Sequence, residues 1–366
     1  MKINKSQLKA IRHDKGPMLV LAGPGSGKTL VITRRTRNLI EEYKVNPSNI
    51  LVITFTKAAA GEMKERFHKL TEGAGEGVNF GTFHAVFFTI LKYAYNFNGS
   101  NIIRADHKYQ IFKEIIQQLN LDIDDEKDFI SNLMSEISLI KGERMDLDHY
   151  YSINCSDEDF KKIYKAYENQ LRRANLIDFD DMLLLCYELL KERKDILALW
   201  QKKFKYILID EFQDINQVQY DIIKMLALPE TNLFIVGDDD QSIYKFRGAK
   251  PEIMLNFNKD YPNSLQVILD SNYRSTKNIV KAAANVIKNN NHRFQKNIHT
   301  NNKLGPIPEI KTFKDLKEEN EQIIKKLLKY YNSGIAYSEM AVLFRTNTQP
   351  RNLVAKLMEY NIPFNM

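Results

Sequence analysis

The apolar run Met18-Leu19-Val20-Leu21-Ala22 passes directly into Gly23-Pro24-Gly25-Ser26-Gly27-Lys28-Thr29 and then into a helical pattern. No other feature constrains the fold of this chain as tightly. An unbroken apolar run reads as a strand buried on both faces, which needs helices on either side of a parallel sheet. The glycines allow backbone N–H groups to turn inward around a phosphate without a Cβ clash. The helix that follows adds its positive N-terminal end. In this reading Gly23, Pro24, Gly25, Ser26 and Gly27 cradle phosphate, Lys28 meets the β- and γ-phosphates, and the Thr29 hydroxyl ligates Mg²⁺. The strict pattern asks for Gly at the first position, where this chain has Ala22. A flexible glycine loop is the bland alternative, and the flanking strand and helix favour phosphate.

Further apolar runs, at Ile50–Phe55, Tyr206–Asp210, Leu233–Val236, Leu265–Leu269 and Met340–Phe344, extend the strand–helix alternation of an α/β fold. From about Tyr93 to Lys205 the alternation stops. That stretch is helical by pattern and dense in charge, and it reads as an all-helical insertion. The expected organisation is therefore a first domain of residues 1–92 and 206–264, an insertion of 93–205, and a second unit of 265–366. The arginines Arg34, Arg35 and Arg37 lie on the helix after the glycine-rich loop and are expected to be largely solvated.

A phosphate loop needs a partner carboxylate, and Tyr206-Ile207-Leu208-Ile209-Asp210-Glu211 supplies a pair at the C-terminal end of a strand, where α/β ligands bind. Asp210 would hold Mg²⁺, and Glu211 would polarise an attacking water.

Composition narrows the partners. Lys+Arg 53 against Asp+Glu 46 gives a net charge of +7, which suits a polyanion and equally a merely soluble protein. The two cysteines, Cys155 and Cys186, are far apart, which argues against a disulfide scaffold or zinc site. Met1 to Ala10 opens no apolar signal core, and the run Met182 to Leu190 is too short to span a bilayer. No membrane partner and a cytoplasmic location are expected.

Taken with these motifs, other stretches acquire meaning, and the ordered set resembles the superfamily 1 DNA helicases of the UvrD, Rep and PcrA type. Ile3-Asn4-Lys5-Ser6-Gln7 resembles their adenine-reading motif, with Gln7 as the base reader. Thr54-Phe55-Thr56-Lys57-Ala58-Ala59-Ala60-Gly61-Glu62-Met63 and Gly81-Thr82-Phe83-His84 resemble segments that contact single-stranded DNA. Ile177-Asp178-Phe179-Asp180-Asp181 resembles the segment closing the insertion, and Asp210-Glu211-Phe212-Gln213-Asp214 the Mg²⁺ motif. Val236 to Ala249 resembles the motif coupling the γ-phosphate to the DNA track, and Asn272-Tyr273-Arg274-Ser275 a motif of the second RecA-like domain.

The resemblance implies two RecA-like P-loop domains, ATP and Mg²⁺ as ligands, and single-stranded and duplex DNA as partners. It implies Gln241 as a γ-phosphate sensor, Tyr273 stacking on adenine and Arg274 as an arginine finger. It further implies Phe55, Thr56, Lys57, His84, Tyr244, Phe246 and Arg247 as DNA contacts, with 3′-to-5′ movement. Basic residues beside aromatics, such as Phe55 with Lys57 and Phe246 with Arg247, are what a base-stacking groove needs. Phe83 and Phe212 read equally as core, and His84 equally as a residue that orients a neighbour.

Departures from the pattern are Leu30 where relatives commonly carry Arg, Ala58 where Lys is usual, and Phe246 where Trp is typical. The family's later motifs are not found before Met366, so an incomplete second RecA-like domain is expected. Other readings are a nucleotide- and DNA-binding module with little turnover and a subunit of a helicase–nuclease complex. A small-molecule kinase would share the phosphate loop, but would leave Asp238-Asp239-Asp240-Gln241 and Asn272-Tyr273-Arg274 without a role.

Overall fold

The computed structural model describes the chain apart from Met1, Lys2, Ala74, Asp122, Phe246, Arg247 and Asn347. Six strands form one sheet: β1 (Met18–Ala22), β2 (Ile50–Thr54), β3 (Asn79–Thr82), β4 (Tyr206–Ile209), β5 (Leu233–Gly237) and β6 (Leu265–Leu269), in the order β3-β2-β4-β5-β1-β6. Every pairing is parallel, with Val20 opposite Val236 on one side and Val267 on the other. Because side chains alternate across a strand, Leu19, Leu21, Leu51, Ile53, Ile207, Ile209 and Ile235 face one layer of the core. Met18, Val20, Ala22, Val52, Leu208, Phe234 and Val236 face the other.

Helices cover both faces. The helices α1 (Lys5–Ile11), α2 (Lys28–Glu41) and α3 (Lys57–Thr71) bury Ala10, Val31, Leu39 and Met63 against the second layer. On the first layer lie α4 (Phe83–Ala94) and, after the helices α5 (Ala105–Gln118), α6 (Glu126–Glu143) and α7 (Asp157–Ala174), also α8 (Phe179–Glu192), α9 (Lys194–Lys203) and α10 (Gln217–Ala227). Short helices α11 (Pro251–Leu255) and α12 (Phe257–Asp260) precede β6, and α13 (Lys277–Ile287) follows it.

The stretch expected to be all-helical forms no strand among its described residues. Its helices serve two packings. Phe112, Ile130, Ile137, Phe160 and Tyr167 of α5, α6 and α7 form a separate core, while α8 and α9 complete the sheet's first layer. A buried polar cluster closes the insertion at Asp178, which caps α8 in a reciprocal box with Asp181. Lys141 is 2% exposed and lies 2.7 Å from Glu168, 3.4 Å from Asp178 and 2.6 Å from Asp181. The Asp178 carboxylate also accepts from Lys108 and the Tyr167 hydroxyl. Burial penalises its charge, but Lys141 and Lys108 outweigh that penalty and hold its pKa low. Asp181 is pushed up by burial and by Asp178.

Four sequence expectations differ from the structure. Asn79–Thr82 is a strand that apolar runs could not reveal, since it is four residues long, half-buried and interrupted by Gly81. Leu265–Leu269, expected to open a second unit, is hydrogen-bonded to β1, because Pro17 and Gly23 hold it in parallel register at both ends. Arg35 is 1% exposed rather than solvated. It donates to the carbonyls of His13 and Asp14 and lies 4.6 Å over the Phe234 ring, and burial lowers its pKa to about 9.

Packing divides the chain into compact units Met1–Gly305 and Pro306–Met366. The second unit contains α14 (Leu316–Asn332) and α15 (Arg351–Glu359), packed through Ile324, Leu353, Leu357 and Ile362. Met340–Phe344, the fourth differing expectation, is extended chain but not a strand. Backbone groups need a paired neighbour to make a ladder, and no strand forms among the described residues of this unit.

Replacing Lys141 with Met leaves Asp178, Asp181 and Glu168 buried without their shared cation. The expected loss is about 3–5 kcal/mol, read as a lower urea midpoint by circular dichroism. An unchanged midpoint would mean that water already screens this cluster.

Candidate nucleotide and nucleic-acid site

All six parallel strands end at the same edge, and the sequence places a candidate motif after each. After β1, the backbone reverses through Gly25 (φ +66°) and Gly27 (φ +90°) into α2. A Cβ on Gly25 would lie 2.7 Å from Cβ of Arg274, so only glycine fits this close approach. The loop is held from two sides. Gln7, fully buried, donates from Nε2 to the Ser26 carbonyl at 2.9 Å and accepts the Asn4 N–H at 3.1 Å. From the end of β6, Asn272 donates to the Pro24 carbonyl at 2.7 Å and the Tyr273 N–H to the Gly25 carbonyl at 2.9 Å. Asn4 also donates to the Tyr273 hydroxyl at 2.9 Å, bringing the two expected adenine contacts to one place. Arg274 is exposed beside the loop.

After β4, Glu211 takes a left-handed conformation (φ +51°) that turns the chain into a short 3₁₀ segment, Phe212–Asp214. Its carboxylate pairs with Lys28 at 2.6 Å and accepts from Gln213 at 2.9 Å. Asp210 is 5% exposed, and one of its oxygens accepts the Glu211 N–H at 3.0 Å. Burial, and then the charge of Glu211, pushes its pKa up to about 7, with Lys28 opposing. The same causes push Asp214 to about 6.

A desolvated carboxylate with no cation of its own, beside the loop that begins α2 with Thr29, is the donor chemistry that suits a hydrated Mg²⁺. Among the described residues no cluster of three His, Cys, Asp or Glu side chains could hold a metal by itself. Thr29 and Asp210 are the residues that would supply protein ligands to such an ion. The buried Ser26 hydroxyl has no hydrogen-bond partner, an orphan within the cradle.

After β5, Asp238 donates its N–H to Gln213 at 3.0 Å and accepts from the Gln241 amide at 2.7 Å. Gln213 therefore joins the ends of β4 and β5 directly. A Cβ on Gly237 would lie 2.7 Å from Gln213 Oε1, which explains glycine at the end of β5. Lys296 and Arg293 fix the three aspartates of this turn: Lys296 contacts Asp238, Asp239 and Asp240, and Arg293 grips Asp240 through two bonds of 2.6 and 2.7 Å. Sequence reasoning missed both basic residues, which lie more than fifty positions from their partners.

The expected DNA contacts divide in the same way. Phe55, after β2, stacks on Tyr244 with centroids 5.5 Å apart and planes 23° from parallel. Thr56 caps α3 through the Ala59 N–H, and Lys57 is exposed. His84, after β3, lies edge-on to Phe179 at 5.2 Å, and burial lowers its pKa. Phe83 and Phe212 are core residues. Phe246 and Arg247 lie outside the described residues.

Substituting Asn for Asp210 removes a charge whose burial is unfavourable. The group is neutral in folded and unfolded chains below about pH 4, and the penalty grows until the folded-state pKa near 7 is passed. At pH 8 the variant should therefore gain up to about 4 kcal/mol in nucleotide-free stability and lose Mg²⁺ affinity. Thermal denaturation at pH 5 and pH 8 measures the first, and Mg²⁺ titration the second. A variant less stable than the parent at pH 8 would contradict the uncompensated burial of this carboxylate.

Comparison with known proteins agrees with this geometry. Residues 3–262 match the UvrD/REP helicase N-terminal domain and residues 267–366 the UvrD-like helicase C-terminal domain. The sequence boundary thus falls beside β6, although packing assigns that strand to the first unit. A putative ATP-dependent DNA helicase YjcD of Bacillus subtilis is 38% identical over 371 residues, covering 99% of this chain and 48% of the relative. ATP-dependent DNA helicases PcrA of Staphylococcus epidermidis and Staphylococcus aureus are 38% and 37% identical over 376 residues, each match covering 100% of this chain and 50% of the relative. The chain spans about half the length of these relatives. No helix among its described residues is long and apolar enough to cross a membrane. With two RecA-type motif sets on one parallel sheet edge and matches over almost its whole length, the chain belongs to the UvrD/REP helicase family.

Proposed function

We propose that this chain carries the ATP-hydrolysing core of a motor that moves along single-stranded DNA and separates duplexes. The Lys28–Glu211 pair carries the reading, since it joins the phosphate loop to a second strand end where water can be activated. Relatives named as ATP-dependent DNA helicases support it.

In this mechanism Gln7 and Tyr273 hold adenine, and the loop from Gly23 to Gly27 surrounds the phosphates with backbone N–H groups. Lys28 leaves Glu211 for the β- and γ-phosphates, which frees the Glu211 carboxylate to take a proton from the attacking water. Thr29 and Asp210 would hold Mg²⁺, which would neutralise charge on the transferred phosphoryl group. Arg274 stabilises that charge from the opposite side, so it acts on rate more than on affinity. Gln241 registers the γ-phosphate, and three residues later Tyr244 stacks on Phe55. A change at Gln241 thus moves an aromatic platform. Phe55, Tyr244 and, by sequence position, Phe246 stack on bases, while Thr56, Lys57, His84 and Arg247 follow the backbone. Movement from 3′ to 5′, work in DNA repair or replication, and a cytoplasmic location follow the family likeness.

Steady-state ATP hydrolysis with and without oligo-dT tests the reading. We expect stimulation by DNA, and loss of turnover in Lys28→Ala. Glu211→Gln should bind a fluorescent ATP analogue normally while turnover falls by about 10²–10⁴, the usual contribution of a general base. Phe55→Ala should weaken oligo-dT binding by about 1–3 kcal/mol. Full turnover in Glu211→Gln would remove the assigned base, and DNA-independent hydrolysis would remove the motor.

A further inference from the structure

The strap that follows α13 crosses the ends of three strands. At β5, Arg293 and Lys296 bind the aspartates, and the Phe294 N–H donates to Asp239 at 2.7 Å. At β1, Ile298 packs against Gly23 at the start of the glycine-rich loop. At β6, His299 exchanges backbone hydrogen bonds with Asp270 and Asn272, next to Arg274. Lys296 is the anchor, with a side chain wholly removed from solvent. Burying an ammonium among three carboxylates is an expensive way to fix a turn when packed apolar side chains would serve as well. Its geometry is directional, however.

Lys296 holds one oxygen of Asp238 at 2.7 Å, and the other oxygen accepts the Gln241 amide at 2.7 Å. The backbone N–H of Asp238 donates to Gln213, whose amide donates to Glu211, the partner of Lys28. A series of contacts therefore runs from Lys296 through one residue, Asp238, to both residues assigned above to phosphate sensing and water activation. It passes through the Asp238 carboxylate to Gln241, and through the backbone N–H and Gln213 to Glu211.

We propose that Lys296 is a positioning residue for ATP turnover: by fixing Asp238 it sets Gln241 through the carboxylate and, through the Asp238 backbone N–H and Gln213, Glu211. The proposal rests on the function proposed above. Lys296 differs from the residues that bind nucleotide, because Gln7 and Tyr273 contact the glycine-rich loop without it and it reaches Lys28 only indirectly, through Glu211. Arg293 bears on Asp240 alone and has a bracing role.

Two variants separate positioning from stability. Lys296→Met leaves three aspartates facing one arginine and is expected to unfold at lower temperature. Lys296→Met with Asp239→Asn restores the cluster's net charge while leaving Asp238 without its donor. The double variant should regain most of the lost thermal stability and bind the fluorescent ATP analogue within about threefold of the parent, yet keep a kcat at least about tenfold lower. Its preference for a non-hydrolysable ATP analogue over ADP should also fall, since Gln241 is no longer oriented. If kcat returns together with stability, Lys296 is a structural strut and the proposal fails. Loss of nucleotide binding in the stable double variant would also overturn it, since positioning leaves binding intact. Glu211→Gln measured in parallel tests the underlying site: retained turnover there is a failure of the proposed function itself, whatever Lys296 does.

Discussion

A parallel sheet buried on both faces leaves its polar requirements at the strand ends, and the side-chain amide of Gln213 meets that constraint here. Gln213 sits in the turn after β4, where Glu211 has already spent a left-handed conformation to reverse the chain. Its amide oxygen accepts the first N–H beyond β5, and its amide nitrogen donates to Glu211. This leaves no room for a side chain on Gly237. Central strands with apolar residues on both faces can be delivered to an edge, but something polar has to set their spacing. A neutral amide that both donates and accepts does this without adding charge to an edge already crowded with carboxylates.

The carboxylates at that edge fall into two electrostatic classes, and the difference indicates where a cation enters. Asp238, Asp239 and Asp240 are compensated within the chain by Lys296 and Arg293. Asp210 and Asp214 are buried nearby without a basic partner of their own. Among the described residues the cation that bears on them is Lys28, which is engaged by Glu211, and burial and Glu211 raise their pKa values. Buried charge is retained only where something neutralises it. One cluster is therefore compensated within the chain, and the other is where the proposed mechanism would bring in positive charge. In the proposed mechanism the Lys28–Glu211 contact belongs to the second class, since Lys28 would exchange Glu211 for a triphosphate.

What the sequence disclosed follows from how local each signal is. The phosphate loop, Asp210-Glu211 and the strands β1, β2, β4 and β5 are legible because unbroken apolar runs and glycine spacing are contiguous in the chain. The strand β3 escaped notice since Gly81 and two polar ends hide a four-residue edge. Leu265–Leu269 was legible as a strand, but a hydrophobic run states that it will be buried and says nothing of its neighbour, which here is β1. Met340–Phe344 has the same signal as a strand and lacks the partner that would make it one. Arg35 looked like part of a solvated cluster, yet its guanidinium satisfies the carbonyls that end α1, a demand visible only once α1 and α2 pack together.

Lys296 is the instructive case, since no local pattern marks it. It stands among Asn, His, Arg and Gln residues typical of a surface loop, 58 positions from Asp238. The aspartates, in contrast, were conspicuous, and three successive acids after a buried strand already imply a counter-charge somewhere in the fold. Three neighbouring carboxylates cannot all stay ionised at a protein's interior edge without basic partners. That partner had to be long enough to reach inward, and it had to come from a segment already at the strand ends. The strap between α13 and residue 305 meets both conditions, because His299 is held to Asp270 and Asn272 beside the glycine-rich loop. The search for missing counter-charges thus extends a motif reading to residues that the motif does not contain.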